Sequence, residues 1–225
     1  MRQDSSRKIS PWPRALISSL ILLAGCGLLL GACGDERDRP PQDALVVQVV
    51  DGDTVVLAGG IKVRVLSIDA PEMEKDGQPA DFLAHKAKEA LTDLTLNRMI
   101  GLEYDQLRYD RFGRLLAYLR LSDHTLVNAE LVRRGLARVY FIAPNLRYRD
   151  ELLAAQREAI QAQRGVWQKL LKQDELSYLG NRNTLRLHRP KCPQGAQMAR
   201  ANQVRFTSLK EAYLLGYSPC RSCKP

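Results

Sequence analysis

Apolar and polar positions alternate through residues 45–57, LVVQVVDGDTVVL, on either side of Asp51-Gly52. That period of two predicts a pair of short strands joined by a tight turn. Gly59-Gly60 then turns the chain into a further strand over 61–68. The period changes over 79–96, where Phe82, Leu83, Ala87, Ala90, Leu91 and Leu94 recur at helical spacing. Two more strands are expected at 100–104 and 115–121, across the charged loop DQLRYDRFGR. Helices are expected at 125–136 and 145–163, the latter with Gly165 near its C-terminal end. Five short strands with helices set between and after them predict an α+β domain built on a five-stranded Greek-key β-barrel.

The ends of the chain depart from this pattern. Residues 1–14 are basic, and 15–32 form an apolar run broken only by Ser18 and Ser19, so residues 1–33 read as a targeting segment outside the fold. Cys26 and Cys33 each close a stretch resembling the lipobox of bacterial lipoproteins. Cys33 is favoured as the lipidation site because the polar GDERDRPPQD follows it, with Cys26 or an uncleaved signal anchor as alternatives. Basic residues ahead of the run hold that end in the cytoplasm and send the remainder outward. The expected location is therefore extracytoplasmic and membrane-tethered. The expected division is targeting segment 1–33, linker 34–44, barrel domain 45–172, linker 173–180 and a small C-terminal module 181–225.

Candidate chemistry gathers at the ends of the predicted strands. Asp53 lies in DGDT; Arg64, Asp69 and Glu72 lie in VRVLSIDAPE; Arg114 lies in DRFGRLLAY. Carboxylates for a cation and a base, with guanidinium forks for a pentacoordinate phosphate, are the groups that phosphodiester hydrolysis uses. In order and spacing these three segments resemble the staphylococcal (micrococcal) nuclease, or thermonuclease, family over residues 44–167. The resemblance implies an OB-fold and assigns roles: Asp53 and Asp69 as calcium-binding carboxylates, the main-chain carbonyl of Ala70 as a further ligand where the family has threonine, Glu72 as general base, and Arg64 and Arg114 as phosphate-holding arginines. It also implies calcium-dependent hydrolysis of DNA and/or RNA, with little sequence preference and 3′-phosphate products. Asp51 reads as a turn residue. Phe112 stands where many such nucleases carry tyrosine, and Tyr109, Tyr118, Tyr140 and Tyr148 are candidates to stack on bases, with a core position favoured for Tyr118.

The tail carries His188-x3-Cys192 and Cys220-x2-Cys223, a Cys3His set at zinc-ligand spacing. A disulfide between two of these cysteines is the alternative in an oxidising compartment. Residues 180–225 resemble the zinc-binding, methyl-phosphotriester-repair domain of the Ada DNA-repair protein. In that domain the first of four cysteines accepts the methyl group; the corresponding residue here is His188, which cannot supply that thiolate, so a structural zinc module is expected without repair chemistry.

Charge sharpens the picture. The 225 residues carry a formal net charge of +9, yet residues 34–180 are slightly acidic, while 181–225 hold nine Lys and Arg against Glu211 alone. Attraction for a nucleic-acid backbone is thus concentrated in the tail. The function expected is a nuclease, with a non-catalytic OB-fold nucleic-acid receptor as the alternative and a zinc-dependent interaction protein as a third class. Pure binding has no use for three acids facing a polyanion. No protein partner is inferable.

Overall fold

A computed structural model describes residues 40–225; Cys26, Cys33 and the targeting segment lie outside the described residues. Strands β1 (Asp43–Asp51), β2 (Thr54–Leu57) and β3 (Lys62–Val65) follow one another antiparallel, with a two-residue β4 (Ile68–Asp69) beyond. Helix α1 (Ala84–Thr95) precedes β5 (Met99–Glu103) and β6 (Leu115–Arg120). The five strands close a barrel in the order β1-β2-β3-β6-β5, with β3 and β6 running parallel. Helix α2 (Val127–Arg133), strand β7 (Arg138–Val139), helix α3 (Arg149–Gln161) and the single turn α4 (Trp167–Leu170) complete this part. Then come β8 (Tyr178–Asn181), β9 (Arg186–His188), α5 (Pro193–Ala196), β10 (Gln203–Phe206), α6 (Leu209–Leu214) and β11 (Ser218–Pro219). Four of these strands form a small sheet ordered β10-β8-β9-β11. Among the described residues no helix is long and apolar enough to cross a membrane.

The expected five-stranded barrel is present, but several elements are shorter than their hydrophobic pattern. The strand expected over 61–68 breaks after Val65, because Ser67 takes a left-handed φ of 61° that no strand accommodates. Its hydroxyl then shares a hydrogen bond with the buried Tyr118 hydroxyl at 3.0 Å. Asn128, wholly buried on α2, holds the same corner by donating to the Leu66 carbonyl and accepting from the Leu119 amide. The helix expected from 79 begins only at Ala84, after Leu83 in the left-handed region at φ 70°. The preceding loop is closed instead on Glu72, whose carbonyl accepts from the Asp81 amide at 2.9 Å and whose amide donates to the Asp81 carboxylate at 3.3 Å. The helices expected at 125–136 and 145–163 likewise shorten to the spans of α2 and α3.

Gly52 shows why the first turn needs glycine. A Cβ there would lie 2.6 Å from that of Ala70 and 2.7 Å from that of Ala87, so the turn packs directly on the residue after β4 and on α1. Asp51 accepts the Asp53 amide at 3.0 Å and acts as the turn residue expected.

The tail has its own apolar interior, and it is shared. Tyr178, Leu187, Phe206, Tyr213 and Tyr217 cluster with Ala159 and Ile160 of α3 and with Val166 and Trp167. Gln156 of α3 donates to the Tyr213 carbonyl at 2.7 Å and accepts the Val139 amide at 2.8 Å, fastening α6 to β7 through one buried side chain. The segment expected as linker 173–180 already contains the start of β8. Composition suggests a polar appendage; burial joins it to the barrel's last long helix.

Candidate active site and metal cluster

The turn after β1, the strand β3 and the short β4 deliver Asp53, Arg64 and Asp69 to one place. Arg64 Nη2 lies 2.9 Å from Asp53 Oδ2 and 3.7 Å from Asp69 Oδ1, while its guanidinium also donates to the carbonyls of Val65 and Ile68. An arginine so fully engaged has one available orientation, which is what a preorganised donor requires. Both aspartates are almost wholly buried. Desolvation pushes the Asp53 carboxyl up to about 6 despite the Arg64 charge and the Ala70 amide, which donates to it at 3.0 Å. Desolvation also opposes ionisation of Asp69, but Arg138, Arg64 and Arg221 outweigh it and hold that carboxyl below its ordinary range.

Two of those arginines were not expected from the sequence. Arg138 of β7 reaches Asp69 Oδ2 at 2.5 Å, and Arg221 of the tail reaches Asp69 Oδ1 at 3.3 Å and Glu72 Oε1 at 3.9 Å. No local pattern marks Arg138. Arg221 sits between two of the tail's cysteines, and only the docking of the tail brings it to the carboxylates.

Arg114 and Glu72 flank this centre. Arg114 is fastened by Asp110, which accepts its Nε at 2.7 Å and its amide at 3.0 Å, as well as the Phe112 amide at 2.8 Å. Burial alone would raise the Asp110 carboxyl, but these bonds together lower it. The i,i+4 spacing of Asp110 and Arg114 in DRFGR is the signal that could have found this pair. Glu72 is mostly exposed at the mouth of a neighbouring hollow, with its backbone set by Asp81. A cleft of about 500 Å³ runs past Arg64, Arg114 and Arg221, with Tyr109, Phe112 and Tyr140 on its walls.

The four stacking candidates therefore divide. Tyr109 and Tyr140 line the cleft, Tyr118 is core, and Tyr148 bonds to Glu103 and Arg120 away from it. Arg186 of β9 covers Tyr140, its guanidinium carbon 3.6 Å from the ring centroid. Exposed Phe112 offers the cleft a ring without a hydroxyl.

Asp53 and Asp69, brought together at Arg64, offer carboxylate oxygens, the donor chemistry that suits a hard cation such as calcium. In the tail, the ligand atoms of His188, Cys192, Cys220 and Cys223 all lie within 4.8 Å of one another, and the three cysteines are free. His188 Nδ1 is 3.4 Å from Cys192 Sγ. Three sulfurs and one imidazole nitrogen converging in this way fit a closed tetrahedral zinc site. The Arg189 amide donates to Cys223 Sγ at 3.3 Å, the kind of outer hydrogen bond that orients a thiolate ligand.

Comparison with known proteins agrees with both halves. The family model described as staphylococcal nuclease homologue matches residues 62–169, and that described as metal binding domain of Ada matches residues 166–225. The chain is 35% identical over 128 residues to a thermonuclease of Staphylococcus intermedius, covering 56% of this chain and 76% of that protein. It is 33% identical over 125 residues to the thermonuclease of Staphylococcus hyicus, covering 54% and 73%. It is also 35% identical over 127 residues to endonuclease YncB of Bacillus subtilis, covering 54% and 60%.

Proposed function

The chain belongs to the staphylococcal nuclease family, and from that premise we propose that it hydrolyses DNA and/or RNA phosphodiesters with little sequence preference, in a calcium-dependent reaction leaving 3′-phosphate ends. The observation that carries the reading is the convergence of Arg64 on Asp53 and Asp69 beside a cleft that Arg114 also lines. A non-catalytic receptor has no need to bury two carboxylates where a polyanion must approach.

Asp53, Asp69 and the Ala70 carbonyl would hold a calcium ion, which would supply positive charge for the phosphate when bound. Arg64 and Arg114 grip the non-bridging oxygens and match the charge that builds there in the pentacoordinate state. Glu72 takes the proton of the attacking water as its oxygen bonds to phosphorus. The bond from phosphorus to the 5′ oxygen breaks, that oxygen takes up a proton from solvent, and a 3′-phosphate and a 5′-hydroxyl result. Tyr109 and Tyr140 supply rings for neighbouring bases. His188, Cys192, Cys220 and Cys223 would hold a zinc ion that would keep the tail folded.

The test is cleavage of single-stranded DNA and RNA by the full-length protein with calcium, with magnesium and after chelation. Calcium should restore activity where magnesium does so poorly. Fragments should resist polymerase extension until a phosphatase removes the 3′-phosphate. Glu72→Gln and Arg114→Ala should each lose about a hundredfold or more in kcat with the fold retained; full activity in either variant removes that residue from its role.

We propose further that the protein works outside the cytoplasm, tethered through residues 1–33. The basic segment followed by an apolar run ending at Cys33 supports this. Incorporation of a fatty-acid label that survives Cys26→Ser and vanishes in Cys33→Ser is the expected result; label lost only in Cys26→Ser would reassign the site.

A further inference from the structure

Arg221 stands in the turn between two cysteines of the metal cluster and reaches out of its own module. The turn is fixed on both sides: the Cys220 amide donates to the Leu187 carbonyl at 2.8 Å, and the Lys224 amide donates to the Cys220 carbonyl at 2.9 Å. Strand β11, immediately before it, pairs in parallel with β9, which carries His188. From this base the Arg221 side chain crosses to the barrel, where its Nη2 meets the same Asp69 oxygen that Arg64 approaches, 3.3 Å away against 3.7 Å. Among the described residues only Nη2 of Arg221 engages an acceptor of the protein, and the side chain is 66% exposed. Asp69 is buried, but it keeps Arg64 and Arg138 when the exposed Arg221 guanidinium turns toward a phosphate, so that move leaves no buried carboxylate without a partner. The remaining N–H donors of the fork are free for that purpose.

We propose that Arg221 is a third phosphate-binding arginine of the nuclease site, contributed by the tail and positioned by the metal cluster that flanks it, so that the site is complete only when both modules are folded together. The proposal rests on the nuclease reading and names a substrate contact that the barrel alone lacks. Its ligand is the phosphodiester backbone of a nucleic-acid strand lying in the cleft that Arg64, Arg114 and Arg221 share. Arg64 and Arg221 approach one oxygen of Asp69 from different modules and both line the cleft, so a phosphate lying there meets the barrel's guanidinium and the tail's together. A bulk electrostatic role predicts something else: any tail cation would serve equally.

Arg205, an exposed residue of β10, removes that ambiguity because its loss deletes the same charge from the same module. The experiment compares wild type, Arg221→Ala and Arg205→Ala as full-length, zinc-loaded proteins. The affinity for a phosphorothioate oligonucleotide in calcium is read by fluorescence anisotropy at physiological salt, and kcat and KM are read on DNA. Arg221→Ala should weaken binding by about tenfold or more and lower kcat, the scale of one charge-assisted hydrogen bond. Arg205→Ala should stay within about twofold of wild type, as expected of a screened surface charge. Equal losses in the two variants would overturn the proposal. The role of the cluster is read from Cys223→Ser alone and combined with Arg221→Ala: the two losses in affinity should fail to add, because each removes the same contact. Additive losses would show that the cluster does not position Arg221. A wild type that binds without cleaving would defeat the nuclease reading, while the contrast between Arg221→Ala and Arg205→Ala would still decide the phosphate contact.

Discussion

Asp110 contributes no atom to the buried carboxylate centre, yet it sets where Arg114 points through two bonds to that residue alone. Asp110→Asn keeps the shape but gives up the charge-assisted bond to Nε, and Arg114 is then free to swing. Steady-state kinetics should show kcat falling about ten- to hundredfold, the range in which a misplaced catalytic group is costly, with the fold retained. A kcat equal to wild type would mean that the phosphate itself orients Arg114. Gly52 makes the opposite kind of demand, on space. Gly52→Ala presses a methyl group into Ala70 and Ala87, and overpacking of this kind costs about 1–3 kcal/mol. Thermal unfolding should register it, and activity should fall too, because Ala70 carries one of the proposed calcium ligands. Gly52 stands in a segment that was legible as a turn, and Asp110 in one legible as a charged loop. Their neighbours in space were not legible, because a turn signal carries no information about what packs on it.

Among the elements, β5, β6 and the start of α3 are joined by Glu103, Arg120 and Tyr148, whose side chains bond to one another. Burial opposes ionisation of Glu103, but Tyr148 and Arg120 prevail and hold its carboxyl below the ordinary value of 4.5. A carboxyl depressed in the folded state adds stability that is present above 4.5 and lost as pH falls through the lower folded value. Melting temperatures of wild type and Glu103→Gln should therefore differ most near neutrality and converge in acid; a gap independent of pH would assign the effect to packing. The barrel strands were readable because alternation and glycine turns are local. The ends of β3 and α1 were not, since both fall at left-handed residues, Ser67 and Leu83, and Ser67 bonds to Tyr118, 51 residues away. Likewise Asp53, Arg64, Asp69, Glu72 and Arg114 could be named from motifs, whereas Arg138 and Arg221 enter only once β7 and the tail are docked.

At the scale of the described residues, the shared cluster around Trp167 packs the tail against the end of α3, so barrel and tail are expected to unfold together. A chain truncated after residue 171 would leave Trp167, Ala159 and Ile160 without Tyr178, Phe206 and Tyr213. Its tryptophan emission should shift to the red and its melting temperature should drop by several degrees or more, since exposing even a few core side chains costs several kcal/mol. A truncated chain with native emission and melting would show that the barrel closes without its tail. Removal of zinc from the intact chain should move both readings in the same direction. The contact between Asp69 and Arg221 joins positions 152 residues apart, and that distance is also an order in time. A ribosome delivers Asp53, Arg64, Asp69, Glu72 and Arg114 while most or all of the tail is still unmade; Arg221, the proposed third phosphate contact, arrives last. A chain still short of its tail is, on the proposed reading, the weakest form of the nuclease.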